Sequence, residues 1–401
     1  MNAEAQPKSL ASYEFIALCV VGLLCFCNIA IFYGFYNYLQ GLGIPAAWRG
    51  PLLALEPLTA LALRPWLSAA LNLSNCTRAM RIGVCLVILA LASYPVATAL
   101  PVLALVRILH GAGYVLLLSG LITTFTHILP QGRVAQGFGI LSLASLLPSA
   151  LMPPFVEAVT PFLPGPGYAY AVAAPLMVPA LLLLAPLGRK TRALAAALPQ
   201  EHSQRPAWAE VRANLRLPGV AALILGQLGL LTGHTIVYFF IKSWSLALGT
   251  GNPGLFFTCA NVATIALRVL GMRHLDKLNP GRTTGLALLF LAVLVPCFTL
   301  AGSQTVLNVM AVFYGLALGL GMPLFNAAMF HVSPKRLRGL NTNLLLVAMD
   351  AGFILGPMIG GWVLAAGLSQ QSLFVMSGAI LLMAALTVLP VGRLTSAEKD
   401  V

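Results

Sequence analysis

Residues 101–127 of the chain read PVLALVRILHGAGYVLLLSGLITTFTH. A helix needs about 20 consecutive and mostly apolar residues to cross the hydrocarbon core of a bilayer. This stretch is longer than that, and Arg107 is its only charged residue. It therefore predicts a membrane-spanning helix that carries one charged side chain within the bilayer.

The composition of the whole chain agrees with this interpretation. Of its 401 residues, 59% are hydrophobic and 8% are charged, whereas a soluble domain has about 25% charged residues. A soluble globular protein is thereby excluded, and the high hydrophobicity excludes a disordered chain. We predict an all-α membrane protein with twelve transmembrane helices, in the blocks 12–38, 47–71, 79–97, 101–127, 134–157, 166–187, 218–242, 253–272, 283–301, 304–331, 339–363 and 370–390.

The net charge of +13 is concentrated in alternate gaps between these blocks. The gaps after the even-numbered blocks are the basic ones, with Arg189 and Lys190 after the sixth as an example. Because cytoplasmic loops are enriched in Lys and Arg, the pattern predicts that both termini are cytoplasmic. The lipid bilayer therefore accounts for the basic residues, and we expect no nucleic-acid partner.

The two halves of the sequence match each other at a constant separation of 204 positions. This separation relates His127 to His331 and Pro130 to Pro334. Histidine and proline are much rarer than leucine in this chain, so the matches indicate a duplicated unit of six helices.

The duplication predicts a division of the chain into domains. Two six-helix units related by an axis along the membrane normal are a known transporter design, with the substrate site near the midplane between them. We expect two pseudo-symmetric six-helix bundles over residues 1–187 and 218–401, joined by a cytoplasmic central loop over residues 188–217.

Twelve spans, a central loop and a six-plus-six repeat resemble the major facilitator superfamily over essentially the whole chain. Helix 4 reads Arg107-Ile-Leu-His110-Gly111, which is similar to the family's Arg-x-x-Gln-Gly motif, with His110 in place of the usual Gln. Helix 11 contains Gly356-Pro357 followed by two glycines, which resembles a signature of proton-linked exporters. That signature normally lies on helix 5. Among subfamilies, the chain is most similar to bacterial sugar-efflux and drug:proton antiporters.

The resemblance also implies a conformational latch on the cytoplasmic side. In the family an acidic residue and an arginine between helices 2 and 3 hold one conformation. Here Asn72 takes the acidic position and Arg78 keeps its charge, while the second copy has Asp276 and Arg282. Because Asn72 cannot form an ion pair, we expect a weaker latch in the N-terminal half.

Ionisable residues inside spans are costly and usually functional. We therefore predict proton-coupling roles for Asp350, Glu56, Arg107 and His110; in the family, the arginine of the helix 4 motif is associated with proton coupling. The alternatives are a structural ion pair for Asp350, a gate-lining residue paired with a cation for Glu56, an anchor for an anionic substrate for Arg107, and a hydrogen-bonded packing residue for His110.

Polar and aromatic residues that recur on single helix faces predict the lining of a substrate cavity. In the family, helices 1, 4, 7 and 10 line that cavity. The alternative is ordinary hydrogen bonding and aromatic packing between helices. The candidates are Asn28, Tyr36, His234, Tyr238, Asn261 and Asn326.

These features favour a secondary transporter that works by alternating access. We expect proton-coupled efflux of a small organic compound across a bacterial inner membrane, by a monomer. An importer or exchanger of an organic anion or sugar, and a non-transporting receptor on the same fold, remain alternatives. The sequence has no phosphate-binding loop, so we do not expect an ATP-driven pump. We also expect no enzymatic activity, no cofactor and no metal, since the sequence offers no nucleophile–base pair and no cluster with metal-ligand spacing.

Overall fold

The computed structural model describes residues 12–129, 134–197, 208–249, 251–275, 278–334 and 337–394. Every regular element in these ranges is helical. The helices of the N-terminal half are α1 (Tyr13–Ala30), α2 (Ala46–Ala70), α3 (Cys76–Ser93), α4 (Leu100–Ile128), α5 (Val134–Val159) and α6 (Val178–Ala197). Those of the C-terminal half are α7 (Pro218–Ala247), α8 (Leu255–Leu275), α9 (Pro280–Cys297), α10 (Gln304–Val332), α11 (Arg338–Ala365) and α12 (Gln370–Val388).

Shorter pieces extend several of these helices. α1 continues through a 3-10 turn, Ile31–Gly34, into a further helical segment, Phe35–Gly41. Two short turns, Tyr168–Ala171 and Ala173–Leu176, precede α6. A separate helix, Trp208–Leu215, lies in the segment predicted as the central loop; we call it the loop helix.

The all-α class and the twelve predicted helices are confirmed. Ten helices in the described part of the chain are long and apolar enough to cross a membrane. α2, which carries Arg49, Glu56 and Arg64, is not among them. α8 contributes a shorter apolar helix, Leu255–Gly271.

The chain forms two compact units whose boundary differs from a simple division into halves. Unit 1 contains Met1–Gly34, Gly41–Ile44 and Leu55–Glu201. Unit 2 contains Phe35–Gln40, Pro45–Ala54 and His202–Val401. The end of the first span and the start of α2 therefore group with the C-terminal half. The predicted central loop is partly helical, since α6 runs to Ala197 and the loop helix follows it.

The same close helix crossing occurs in both units. In unit 1, a Cβ added at Gly111 of α4 would collide with the backbone carbonyl of Glu56 in α2. In unit 2, a Cβ added at Gly315 of α10 would collide with the backbone carbonyl of Ala260 in α8. Both members of the second crossing follow the first by 204 positions, the separation of the sequence repeat. The glycines let the helix backbones touch.

The glycines of α11 have a packing role in unit 2. An added Cβ at Gly352 would lie 2.5 Å from the Leu231 Cβ, and one at Gly356 would collide with the Thr235 side chain. The Thr235 hydroxyl donates to the Gly352 carbonyl at 3.0 Å. The glycine-rich stretch is therefore required for close contact between α11 and α7, whatever its relation to exporter motifs.

Buried amides attach the loop helix to unit 2. Asn214 and Asn341 exchange two amide hydrogen bonds, of 2.5 and 3.2 Å. Asn341 also donates to the hydroxyl of Ser333 at 2.7 Å. All three side chains are buried. This network joins the loop helix to the end of α10 and the start of α11.

Candidate functional site

A buried ion pair is the main charged feature of unit 1. The Arg107 Nη2 lies 3.5 Å from the Glu56 Oε2, and the two side chains are 2% and 12% exposed. The sequence left the partner of each residue open. The structure pairs them because the crossing at Gly111 brings the two helices together beside Glu56.

The 3-10 turn of the first span lies against this ion pair. Its Phe32 ring is centred 5.0 Å from the Arg107 guanidinium carbon. The same ring stacks on Tyr170 at 4.7 Å and contacts Tyr94 at 5.4 Å. Interrupted helices at membrane depth are tolerated where other protein groups or a cavity satisfy the backbone, and in transporters they often mark the substrate or ion site.

His110 and Asn28 extend the polar cluster from α4 to α1. The Asn28 amide nitrogen donates to the Cys25 carbonyl at 2.8 Å, which leaves its oxygen as an acceptor. The His110 Nε2 lies 2.5 Å from that oxygen and therefore donates to it. The His110 Nδ1 is buried and has no hydrogen-bond partner among the described residues. Asn28 is 1% exposed, so it acts here as a buried partner of His110.

Asp350 belongs to the other unit. It lies in α11, is 8% exposed and therefore has the burial predicted for it. One helical turn further on, the Phe353 ring lies 6.5 Å from the imidazole of His234. Asp350 is thus close in sequence to Phe353 of unit 2, while Glu56 and Arg107 belong to unit 1.

His234 and Tyr238 form the predicted face of α7. The His234 Nδ1 lies 2.8 Å from the Tyr314 hydroxyl, and the two rings are stacked with centroids 6.1 Å apart. The Tyr238 ring lies 6.2 Å from the imidazole. Sequence reasoning missed Tyr314. The repeat offered a signal for it, since position 314 is the equivalent of His110.

The other cavity candidates lie in different surroundings. Tyr36 is buried in unit 2, with its ring 4.7 Å from Phe240. Asn261 is half-buried on α8, and its amide donates to the Phe257 carbonyl at 2.8 Å. Asn326 is exposed on α10. Their role as substrate-lining residues stays a prediction.

The predicted latch residues make local contacts. The Asn72 side-chain oxygen accepts from the backbone nitrogen of Ser74 at 3.0 Å, so Asn72 stabilises the turn between α2 and α3. Arg78 is exposed, and no ion pair involves it among the described residues. The backbone nitrogen of Arg282 donates to the side chain of Asn279, which caps α9. Asp276 lies outside the described residues.

Two acidic residues that the sequence analysis did not single out also have partners in unit 1. Glu157 of α5 accepts a hydrogen bond from the buried hydroxyl of Tyr33. Glu14 pairs with Lys190 at 2.7 Å, in a partly exposed position. Each residue is far in sequence from its partner, so only the tertiary structure reveals these pairings.

The repeat shows how the two units differ in chemistry. The positions equivalent to Glu56 and Arg107 are Ala260 and Ala311. The rings of Tyr94 and Tyr170 lie 5.0 Å apart. Their equivalents in unit 2 are Phe298 and Phe374, whose rings lie 6.0 Å apart. Unit 2 therefore keeps the helix crossing and the ring contact but lacks the ion pair. The described residues also contain no group of three or more potential metal ligands.

Comparison with known proteins identifies the architecture. The family model described as Major Facilitator Superfamily matches residues 18–339 and 253–400. The chain is similar to the structure of a mutant of the nucleoside transporter NupG, with a TM-score of 0.77 and 13% identity, over 94% of this chain and 99% of that one. No curated protein sequence matches the chain significantly.

Two further solved structures share the fold. A D-xylose-proton symporter matches with a TM-score of 0.72 and 16% identity, over 94% of this chain and 97% of that one. A POT family transporter in complex with 5-aminolevulinic acid matches with a TM-score of 0.72 and 14% identity, over 96% of each chain. At these identities the similarity establishes the fold alone.

Proposed function

The chain belongs to the Major Facilitator Superfamily, and from this premise we propose that it is a proton-coupled transporter of a small organic solute. Members of the family are secondary transporters, and one structure with the same fold is a D-xylose-proton symporter. The observation that supports coupling to protons here is the buried ion pair of Glu56 and Arg107.

Glu56 is the proposed proton carrier. A buried ion pair is strongly destabilised when one partner loses its charge, by about 3–5 kcal/mol in proteins where a partner is removed. Protonation of Glu56 would therefore deprive the buried Arg107 of its carboxylate partner, which links the proton to the packing of α2 against α4. His110 and the 3-10 turn lie next to the same arginine and would respond to that change.

Asp350 is the second proposed carrier. Its burial in α11 makes its charged form costly. It differs from Glu56 because it belongs to unit 2, one helical turn before Phe353, whose ring contacts the imidazole of His234. If Asp350 alone carried the proton, proton binding would not involve the ion pair of unit 1. The variants Glu56→Gln and Asp350→Asn distinguish a carrier at Glu56 from one at Asp350.

The direction that we propose is export, across a bacterial inner membrane and with both termini in the cytoplasm. The positive-inside pattern supports the orientation, and the resemblance to drug and sugar exporters supports the direction. The packing role of the α11 glycines weakens the second argument. Uptake is the alternative, favoured by the fold shared with a symporter.

Proteoliposomes loaded with a pH-sensitive dye test this function. A proton gradient is imposed, and a panel of sugars, amino acids, carboxylates and lipophilic cations is added. We expect at least one compound to dissipate the gradient in the wild type, and Glu56→Gln to abolish that response. Glu14→Gln, which also replaces an ion-paired carboxylate in unit 1, is the matched control and should keep it.

The same assay separates the alternatives. Loss of the response in Asp350→Asn but not in Glu56→Gln would transfer the carrier role to Asp350. Downhill flux of a solute without proton movement would contradict proton coupling altogether. Everted and right-side-out vesicles then give the direction, since an exporter accumulates its solute only in everted vesicles.

A further inference from the structure

The imidazole of His234 is held in one tautomer by α10. Its Nδ1 lies 2.8 Å from the Tyr314 hydroxyl, which has no other hydrogen-bond partner in the described part of the chain. Tyr314 is 2% exposed. A phenol that only accepted would leave its own proton buried and unpaired, so the hydroxyl donates to Nδ1. Neutral His234 therefore carries its proton on Nε2.

This Nε2–H is a donor that the described protein residues do not use. The His234 side chain is half-buried. Its Nε2 is not fully enclosed by protein atoms, so a ligand can reach it. A polar group turned towards lipid tails would be costly. The face of α7 that carries His234 is therefore suited to a polar ligand.

Aromatic rings surround this donor. Tyr238 and Phe353 are half-buried, and their rings lie 6.2 and 6.5 Å from the imidazole. Tyr238 is fixed in turn by an edge contact with Phe257 at 5.4 Å. Aromatic rings held in this way offer planar surfaces that favour stacked or edge contacts with a further ring.

We propose that His234, Tyr238 and Phe353 form a binding site in unit 2 for a planar aromatic or heteroaromatic solute that bears a hydrogen-bond acceptor. The ring of the solute packs against Tyr238 and Phe353. A carbonyl oxygen or ring nitrogen accepts from the Nε2–H of His234. The identification of this solute as transported cargo rests on the proposed function; its binding does not.

Benzamide and cyclohexanecarboxamide test the requirement for a planar ring, because they carry the same acceptor on an aromatic and a saturated ring. Binding of each to the purified full-length protein in lipid nanodiscs is measured by thermal stabilisation over a concentration series. We expect benzamide to bind about three- to tenfold more tightly, the range that a specific aromatic contact supports. Equal affinities, tighter binding of the saturated compound, or no binding of benzamide would overturn the proposal.

Two variants of His234 test the donor. In His234→Gln the amide nitrogen reaches the position of Nε2, whereas in His234→Asn the amide lies near Nδ1 and can bond only to Tyr314. We expect His234→Gln to keep benzamide affinity within about twofold, and His234→Asn to lower it about fivefold or more, as for a lost hydrogen bond. Equal affinities in the two variants would contradict the tautomer assignment, provided that both unfold at the same temperature without ligand.

Glu56→Gln separates this inference from the proposed function. We expect it to bind benzamide like the wild type while its proton response is lost. A wild type that binds benzamide but moves no protons would contradict proton coupling and leave the site intact. If another solute drives proton movement and the protein binds benzamide no more tightly than cyclohexanecarboxamide, the aromatic binding site is rejected and the proposed function stands.

Discussion

At the residue scale, the ion pair of Glu56 and Arg107 is present in one copy of the repeat and replaced by two alanines in the other. The same helix crossing thus exists with and without the charges in one molecule. The alanine version shows that this crossing packs without an ion pair. Close packing at this kind of crossing therefore does not by itself require the charges, as expected if Glu56 has the proposed role in proton binding.

This comparison predicts the stability of three variants. Glu56→Ala and Arg107→Ala each remove one member of the buried ion pair and should each cost about 3–5 kcal/mol. The double variant reproduces Ala260 and Ala311 of unit 2, so we expect it to be more stable than either single variant. Thermal unfolding in detergent measures this, and additive losses in the double variant would contradict the prediction.

At the scale of helices, the glycine crossings decide how closely α10 can approach α8. Gly315→Ala places a methyl group against the carbonyl of Ala260, and we expect a loss of about 1–3 kcal/mol, as for other overpacked cores. Gly321→Ala in the same helix meets nothing within 4 Å and should gain about 0.5–1 kcal/mol from helix propensity. Unfolding temperatures of the two variants should therefore shift in opposite directions.

The attachment of the loop helix gives a second prediction at this scale. Asn341→Leu leaves Asn214 buried without its amide partner, which should cost about 1–3 kcal/mol. Adding Asn214→Leu should restore part of the loss, because two apolar groups can replace a hydrogen-bonded pair at little cost. Thr342→Leu, at the neighbouring exposed position, is the control. A single variant as stable as this control would show that the amide network does not hold the loop helix.

At the scale of the whole molecule, the alternating distribution of Lys and Arg predicts the orientation. A fluorescent protein that matures only in the cytoplasm should be bright when fused to either terminus in a bacterial host. Alkaline phosphatase, which is active only outside the cytoplasm, should be inactive at both. Opposite results at the two termini would contradict an even number of crossings.

The sequence predicted the helices well because hydropathy depends on consecutive residues. It could not pair Glu56 with Arg107, since the pairing depends on how two helices cross. The 3-10 turn at Ile31–Gly34 was equally invisible, because apolar residues suit both a straight and an interrupted helix. Tyr314 was missed because a lone tyrosine resembles ordinary packing until His234 is placed beside it.

The charges of α2 have a consequence for how the protein is made. An isolated arginine or aspartate at the centre of a helix costs about 2.5–3.5 kcal/mol during insertion through the translocon, and α2 carries Arg49, Glu56 and Arg64. The counter-charge for Glu56 is on α4, which leaves the ribosome well after α2. Membrane integration of α2 should therefore be completed only when α4 arrives, which makes the first four helices one cooperative unit of biogenesis.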